Sequence, residues 1–324
     1  MDYTKITGSI RADLEAVEAV IRENLGSHVP LIPRVGGYVF ASGGKRFRPA
    51  LLLLCARLAG YAGPRAGNLA AVIEFVHTAS LLHDDVVDNA TLRRGREAAN
   101  RVFGNQASVL VGDFLYGRAS SMLADDRDIR TVKVVAEALR AMAEGEVMQL
   151  GRQHDIDTSE ADYIAVVERK TGVLISAASE LAAILGETGE GARDALRRFG
   201  LSIGIAFQLM DDALDYAADE RLFGKAHGND LAEGKVTLPL ILTLRRCTPS
   251  ERETINAVLK ADRMEPGEFD DVAGIIHRHG GIEGTVARAR EYVAQGKDLL
   301  ACFPGGPPRD ALLELSDYVV ARER

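Results

Sequence analysis

Cysteine is scarce. The 324-residue chain has three, Cys55, Cys247 and Cys302, far apart and without metal-ligand spacing. That argues against a disulfide framework and leaves buried apolar thiols as the plain reading. Long apolar runs are missing too, so no segment is expected to span a bilayer. The first residues, MDYTKITGSIRADLEAVEAV, have neither signal nor transit character. The expectation is a cytoplasmic chain with no stable membrane insertion. Positive charge is not in excess. A formal net charge of −8 argues against nucleic acid as a partner, although local basic clusters can still hold a small anion. Strand alternation is nearly absent, and there is no Pro/Gly/Ser linker, low-complexity block or fixed-period repeat. Together these absences predict a single domain over residues 1–324.

What remains is helix. Ile10, Leu14, Val17, Ile21 and Leu25 follow the i, i+4, i+7 spacing of an amphipathic helix. Pro49 suits a first helical turn, and the run after it ends at Gly60. Helices are predicted over 66–88, 106–124, 130–149, 162–185, 192–216 and 236–246. Ser159 with Asp162, and Ser250 with Glu253, resemble capping boxes. The stretch GGYVFASGG at 36–44 reads as helix and turn. The predicted fold is all-α, ten or more helices around a central cavity.

Two acidic clusters stand out, DDVVD at 84–88 and DDALD at 211–215. On a helix, i and i+4 lie on one face about a turn apart, so Asp84 points with Asp88 and Asp211 with Asp215. Like charges there repel, and a helix C-terminus disfavours anions. Divalent cations offset both, and paired carboxylates suit Mg²⁺, which shares its oxygen ligands with substrate phosphates. Each cluster ends an apolar helix, which suits a substrate with an apolar tail and a charged head. The plain reading is a solvated helix end. Two copies weigh against it, as do the basic residues nearby: Arg93 and Arg94, then Lys45 and Arg48 in GGKRFRP, then Lys225 and Lys235. Gly43 and Gly44 let the backbone approach an anion.

The segments GGKRFRP, FVHTASLLHDDVVDNATLRRG, GNQASVLVGDFLYGRA, AEGEVMQL, KTGVLISAA, AFQLMDDALDY and GKAHGNDLAEGKVTLPL run in order between about residues 40 and 240. In this the chain resembles the trans-isoprenyl diphosphate synthases of the polyprenyl synthetase family. It departs at Ala226, where the family often has Pro or Ser, and at Gly172, often Ala. The resemblance implies an enzyme that condenses isopentenyl diphosphate with an allylic diphosphate, using two or three Mg²⁺ that bridge the allylic diphosphate. It implies metal ligands at Asp84, Asp88 and Asp211, with Asp85, Asp212 and Asp215 in support. Arg93 is expected at the allylic diphosphate. Lys45, Arg48, His77 and Arg94 are expected at the diphosphate of isopentenyl diphosphate. Lys170, Thr171, Gln208, Lys225 and Lys235 are expected on the allylic side, with Lys170, Lys225 and Lys235 taking part in catalysis. Gln149 is expected to face the cavity, and Phe207 to present its ring to a developing cation.

Two class-level rivals meet contrary features. A terpene cyclase lacks a second DDxxD of this kind and the GGKRFRP segment, and a non-catalytic partner subunit lacks the aspartates. Product length rests on the residues before Asp84. Ser80 and Ala79 are small and Val76 medium-sized, where short-chain relatives carry a bulky aromatic. Each helical turn rises about 5.4 Å, comparable to one isoprene unit. An open shaft there predicts a long product of the octaprenyl type used in quinone side chains, and an aromatic at Ala79 is expected to shorten it. Leu115, Arg118, Ala119 and Met122 are further candidates for the shaft wall. Shorter products, such as farnesyl or geranylgeranyl diphosphate, are the alternative. The resemblance also implies a homodimer, with the product delivered to a membrane.

Overall fold

The computed structural model describes residues 2–217, 228–261 and 263–321. Along them run α1 (Tyr3–Ile6), α2 (Arg11–Asn24), α3 (Leu31–Ala41), α4 (Phe47–Leu58) and α5 (Arg65–Val87). A two-residue strand pair follows, β1 (Leu92–Arg93) and β2 (Arg96–Glu97). Then come α6 (Ala99–Phe103), α7 (Asn105–Asp126), α8 (Ile129–Leu150), α9 (Glu160–Val167), α10 (Val173–Leu185) and α11 (Glu190–Ala217). The rest is α12 (Asn229–Ala232), α13 (Leu238–Leu244), α14 (Pro249–Lys260), α15 (Glu268–Arg278), α16 (Gly281–Leu299) and α17 (Pro307–Ala321).

The long helices stand where periodicity placed them, and the fold is all-α. α5 is apolar nearly all round, and every residue from Leu69 to Val76 is buried. A helix of that kind must be central. It packs against α2, α4 and α7, while α10 lies between α5 and α11 and also touches α4 and α8. One apolar cluster runs from Ile6 on α1 to Val319 on α17. With α10 between them, the aspartate-bearing ends of α5 and α11 open on shared cavities.

Three local features differ from the sequence reading. First, the 162–185 helix is interrupted by a π turn at Glu168–Gly172, where the Val173 N–H reaches back to the Glu168 carbonyl. Such turns add a residue to the helix circumference and collect at functional sites. Gly145 of α8 makes room for it: a Cβ there would lie 2.7 Å from the Lys170 backbone nitrogen. Second, α14 is capped by Thr248 with Glu251, not by Ser250 with Glu253. Pro249 occupies the first turn, where its fixed φ starts the helix earlier. The box at Ser159 and Asp162 forms as predicted. Third, β1 and β2 form a small hairpin whose turn residues, Arg94 and Gly95, have φ of 54° and 75°. That left-handed pair is the turn that matches strand twist, and it carries the Arg94 side chain back to donate to the Gly43 carbonyl.

Candidate active site

Three cavities of about 1000, 450 and 220 Å³ meet at the ends of α5 and α11, and Arg93 lines all three. The large one holds Asp84, Asp211, Arg48, His77 and Arg94, then continues between apolar side chains of α8 and α10. The 450 Å³ cavity holds Asp88, Asp211, Asp212, Asp215 and Lys235. The smallest holds Asp84, Asp88, Gln149, Lys170, Thr171, Gln208 and Lys235. Residues separated by more than 150 positions in sequence thus share one cleft. Lys225 lies outside the described residues.

The two aspartate motifs are built alike. In each, the middle aspartate is buried: Asp85 and Asp212 are both 3 % exposed, although Asp212, unlike Asp85, also lines the two smaller cavities. Asp85 is absent from the walls of the three cavities. Its carboxylate instead accepts from Arg93, Nε at 2.8 Å and Nη2 at 2.5 Å. The contact holds Arg93, which lines all three cavities. Asp212 accepts from the Tyr163 hydroxyl at 2.5 Å and from Gln208 Nε2 at 2.7 Å. Burial raises its pKa, against the pull of those two hydrogen bonds. The outer aspartates face the cleft. Burial pushes the Asp84 carboxyl up to about 7, with Glu146 and Asp88 adding repulsion and Lys170 and Arg93 opposing. Asp88 pairs with Lys235 at 3.2 Å. Asp215 accepts from the Asp230 backbone N–H at 3.1 Å.

The cations divide into two groups. Lys170 stands on the π turn and pairs with Glu146 at 2.7 Å. Burial opposes the charge on Lys235, but Glu233 and Asp88 outweigh it and raise its pKa. Thr171 donates to Gln208 Oε1 at 2.9 Å. These groups sit with Arg93 beside both aspartate motifs. The large cavity is also lined by Arg48, Arg94 and His77. Burial, then Arg48 and Arg94, hold the His77 pKa well below the imidazole range, so it is neutral. Arg48 Nε is buried with no hydrogen-bond partner among the described residues. A buried guanidinium donor left open is costly unless an anion fills it. Lys45 does not join this group. Its ammonium donates to the Tyr318 hydroxyl and lies 5.1 Å from that ring's centre, off the cavity wall. Arg46 is structural, held by Glu18, by Glu74 at 3.1 Å and by the Phe40 carbonyl at 3.2 Å.

The apolar end corrects one expectation. Ser80 lines the large cavity, whereas Val76 and Ala79 are fully buried behind it and do not. The wall further in includes Leu139, Met142, Ala143 and Leu174. Leu115 and Ala119 also lie in the packed core, and Arg118 rests on the Phe114 ring at 5.7 Å. Phe207 lines the cavity, backed by Phe47 at 5.1 Å between ring centres. Glu146, Tyr163 and Asp230 escaped the sequence reading. The first lies in the quoted AEGEVMQL and the last in GNDLAEGK; only their partners, Lys170 and Asp215, reveal them.

Among the described residues, no three carboxylate, imidazole or thiol groups converge to hold a metal ion unaided. Mg²⁺ characteristically takes one or two carboxylates and completes its shell with water and phosphate oxygens. The cleft-facing Asp84, Asp88, Asp211 and Asp215 are hard oxygen donors of that kind, and the cationic walls suit the phosphates. The arrangement suits a diphosphate head at the rim and a hydrocarbon tail in the cavity.

The known proteins agree with this geometry. Residues 29–276 match the family described as Polyprenyl synthetase. An octaprenyl diphosphate synthase of Escherichia coli is 40 % identical over 100 % of both chains. A decaprenyl diphosphate synthase from Rhodobacter capsulatus superposes with a TM-score of 0.94 at 40 % identity, again over 100 % of both chains. A polyprenyl synthase from Caulobacter crescentus, solved with calcium and isoprenyl diphosphate, gives a TM-score of 0.96 at 40 % identity, over 100 % of this chain and 98 % of that one. The chain belongs to the polyprenyl synthetase family and is a trans-polyprenyl diphosphate synthase.

Proposed function

We propose that the chain condenses isopentenyl diphosphate with an allylic diphosphate such as farnesyl diphosphate, and repeats the step to a long all-trans product of octaprenyl type for quinone side chains. The observation that carries this reading is a single cavity of about 1000 Å³ with carboxylates and cations at one end and apolar walls beyond. That volume is at the top of the range of about 300–1,000 Å³ for small-molecule sites. The similar proteins named for octaprenyl and decaprenyl diphosphate support the long product.

Asp84, Asp88 and Asp211 would hold Mg²⁺, which when bound neutralises charge on the allylic diphosphate. Arg93, Lys170 and Lys235 bind and orient that diphosphate, and their fixed charges favour its departure with the bonding electrons. The allylic carbon is left as a delocalised cation. Arg48, Arg94 and neutral His77 hold the second diphosphate, so that the isopentenyl double bond faces that cation. Phe207 offers a ring face to it, and the apolar walls keep water away. Carbon–carbon bond formation moves the positive charge onto the isopentenyl unit. Loss of a proton to the released diphosphate then restores a double bond. No covalent enzyme intermediate is needed. Cys55 is buried, and burial pushes its thiol up to about 12, far from a reactive thiolate.

No helix among the described residues is long and apolar enough to cross a membrane. A cytoplasmic enzyme that delivers its product to a membrane fits that observation. A homodimer is supported by exposed apolar residues on two adjacent helices, Leu110 on α7 and Val147 on α8. The site is tested by Asp84→Ala and Asp211→Ala. Each should lower turnover by orders of magnitude with helical content unchanged. Near-normal turnover in either folded variant would remove the two-motif site.

A further inference from the structure

Tyr163 lies on α9, buried, with its hydroxyl 2.5 Å from Asp212 Oδ2. The other carboxylate oxygen accepts from Gln208 Nε2 at 2.7 Å, and Gln208 Oε1 accepts from Thr171 at 2.9 Å. Each link has one sense. A phenol hydroxyl facing a carboxylate must donate. A carboxylate accepts only, so Gln208 must turn its NH₂ toward Asp212 and its carbonyl oxygen toward the π turn. Gln208 itself lines all three cavities. A reversed amide would set two oxygens against each other in a buried place, which is costly.

We propose that Tyr163 is a positioning residue. By fixing Asp212 it fixes the amide sense of Gln208, and so holds a partial negative charge toward the place where the allylic cation develops. This rests on the proposed condensation. It assigns Asp212 a part separate from metal binding: both its oxygens serve the orienting chain. A fixed dipole of this kind lowers the barrier because it needs no reorganisation as charge appears.

The test is steady-state kinetics of Tyr163→Phe, alone and with Gln208→Ala, each substrate varied in turn. Alone, Tyr163→Phe should lower kcat about tenfold or more, as loss of a hydrogen bond to a charged group does. The KM for isopentenyl diphosphate should not move. On the Gln208→Ala background the same change should alter kcat less than about twofold, because the residues act in series. An equal loss on both backgrounds, or no loss on either, overturns the proposal. Asp212→Asn covers the case in which Tyr163→Phe fails to fold. Asn accepts from Tyr163 but presents its NH₂ to Gln208 and reverses the amide, so kcat should fall while the Gln208→Ala background again masks the change. A wild-type kcat for Asp212→Asn overturns the proposal as well. If the wild-type chain itself forms no prenyl product in this assay, the underlying reading fails instead.

Discussion

At the scale of single residues the site is an exercise in charge compensation. Arg48 is the clearest case, a guanidinium on the cavity wall with a buried Nε that no described residue satisfies. Arg48→Ala should raise the KM for isopentenyl diphosphate at least tenfold, by loss of a charge-assisted contact. The KM for the allylic substrate should stay within about twofold. Steady-state kinetics with each substrate varied checks this, and an unchanged isopentenyl KM would reassign GGKRFRP. Asp84 gives a pH dependence. Its folded pKa of about 7 exceeds the ordinary 3.8. The folded chain therefore binds the extra proton, and stability from this group declines as pH rises from 3.8 through 7. A bound cation replaces that proton, so its affinity rises over the same interval. With inorganic diphosphate present, Mg²⁺ should raise Tm more at pH 8 than at pH 6. An equal or reversed difference would exclude Asp84 as a ligand. The i, i+4 carboxylates and the flanking arginines were legible as a pattern. The burial of Asp85 and Asp212, and the diversion of Lys45 to Tyr318, were not, because each depends on a partner elsewhere in the chain: Arg93 on β1, Tyr163 on α9 and Tyr318 on α17.

At the scale of elements, the π turn does the positioning. It carries Lys170 and Thr171 into the cleft, and Gly145 on α8 is what lets the helices approach there. A Cβ at 145 would also meet the Arg169 carbonyl carbon at 3.1 Å, so backbone must shift. Gly145→Ala should cost about 1–3 kcal/mol, as overpacking does, and should lower turnover more than tenfold by displacing Lys170. Denaturant unfolding and kinetics measure the two effects, and a stable, fully active variant would show that the turn can move freely. Hydrophobic periodicity found the helix around this turn but not the turn itself, since one added residue barely disturbs an apolar run. The same blindness hid the hairpin at Arg94: two residues per strand are too few for alternation to register. Gly172 is of the same kind. Gly204 of α11 crosses so near that a Cβ there would lie 2.7 Å from Gly172 Cα, which suits the smallest residue at this crossing.

At the scale of the whole molecule, a helical shell brings a polar rim and an apolar interior to one opening, and on the proposed reading that interior sets how far a chain can grow. Of the three residues before Asp84 that the sequence reading names, Val76 and Ala79 are buried in the core and Ser80 alone lines the large cavity. Ala79 is packed against the core, and Ser80 meets the cavity. A rotation of one residue, about 100° around a helix, separates the two, and only the neighbouring helices fix it. Tyr at 79 would have to displace packed neighbours and destabilise the fold, whereas Tyr at 80 can enter open space. The most direct measurement is therefore product sizing. The wild-type chain and Ser80→Tyr are incubated with Mg²⁺, farnesyl diphosphate and labelled isopentenyl diphosphate, and the products are resolved by length. The account predicts an octaprenyl-type product from the wild type and products near geranylgeranyl length from the variant. A wild type that stops at geranylgeranyl diphosphate, or a folded variant that still makes the wild-type product, would contradict it.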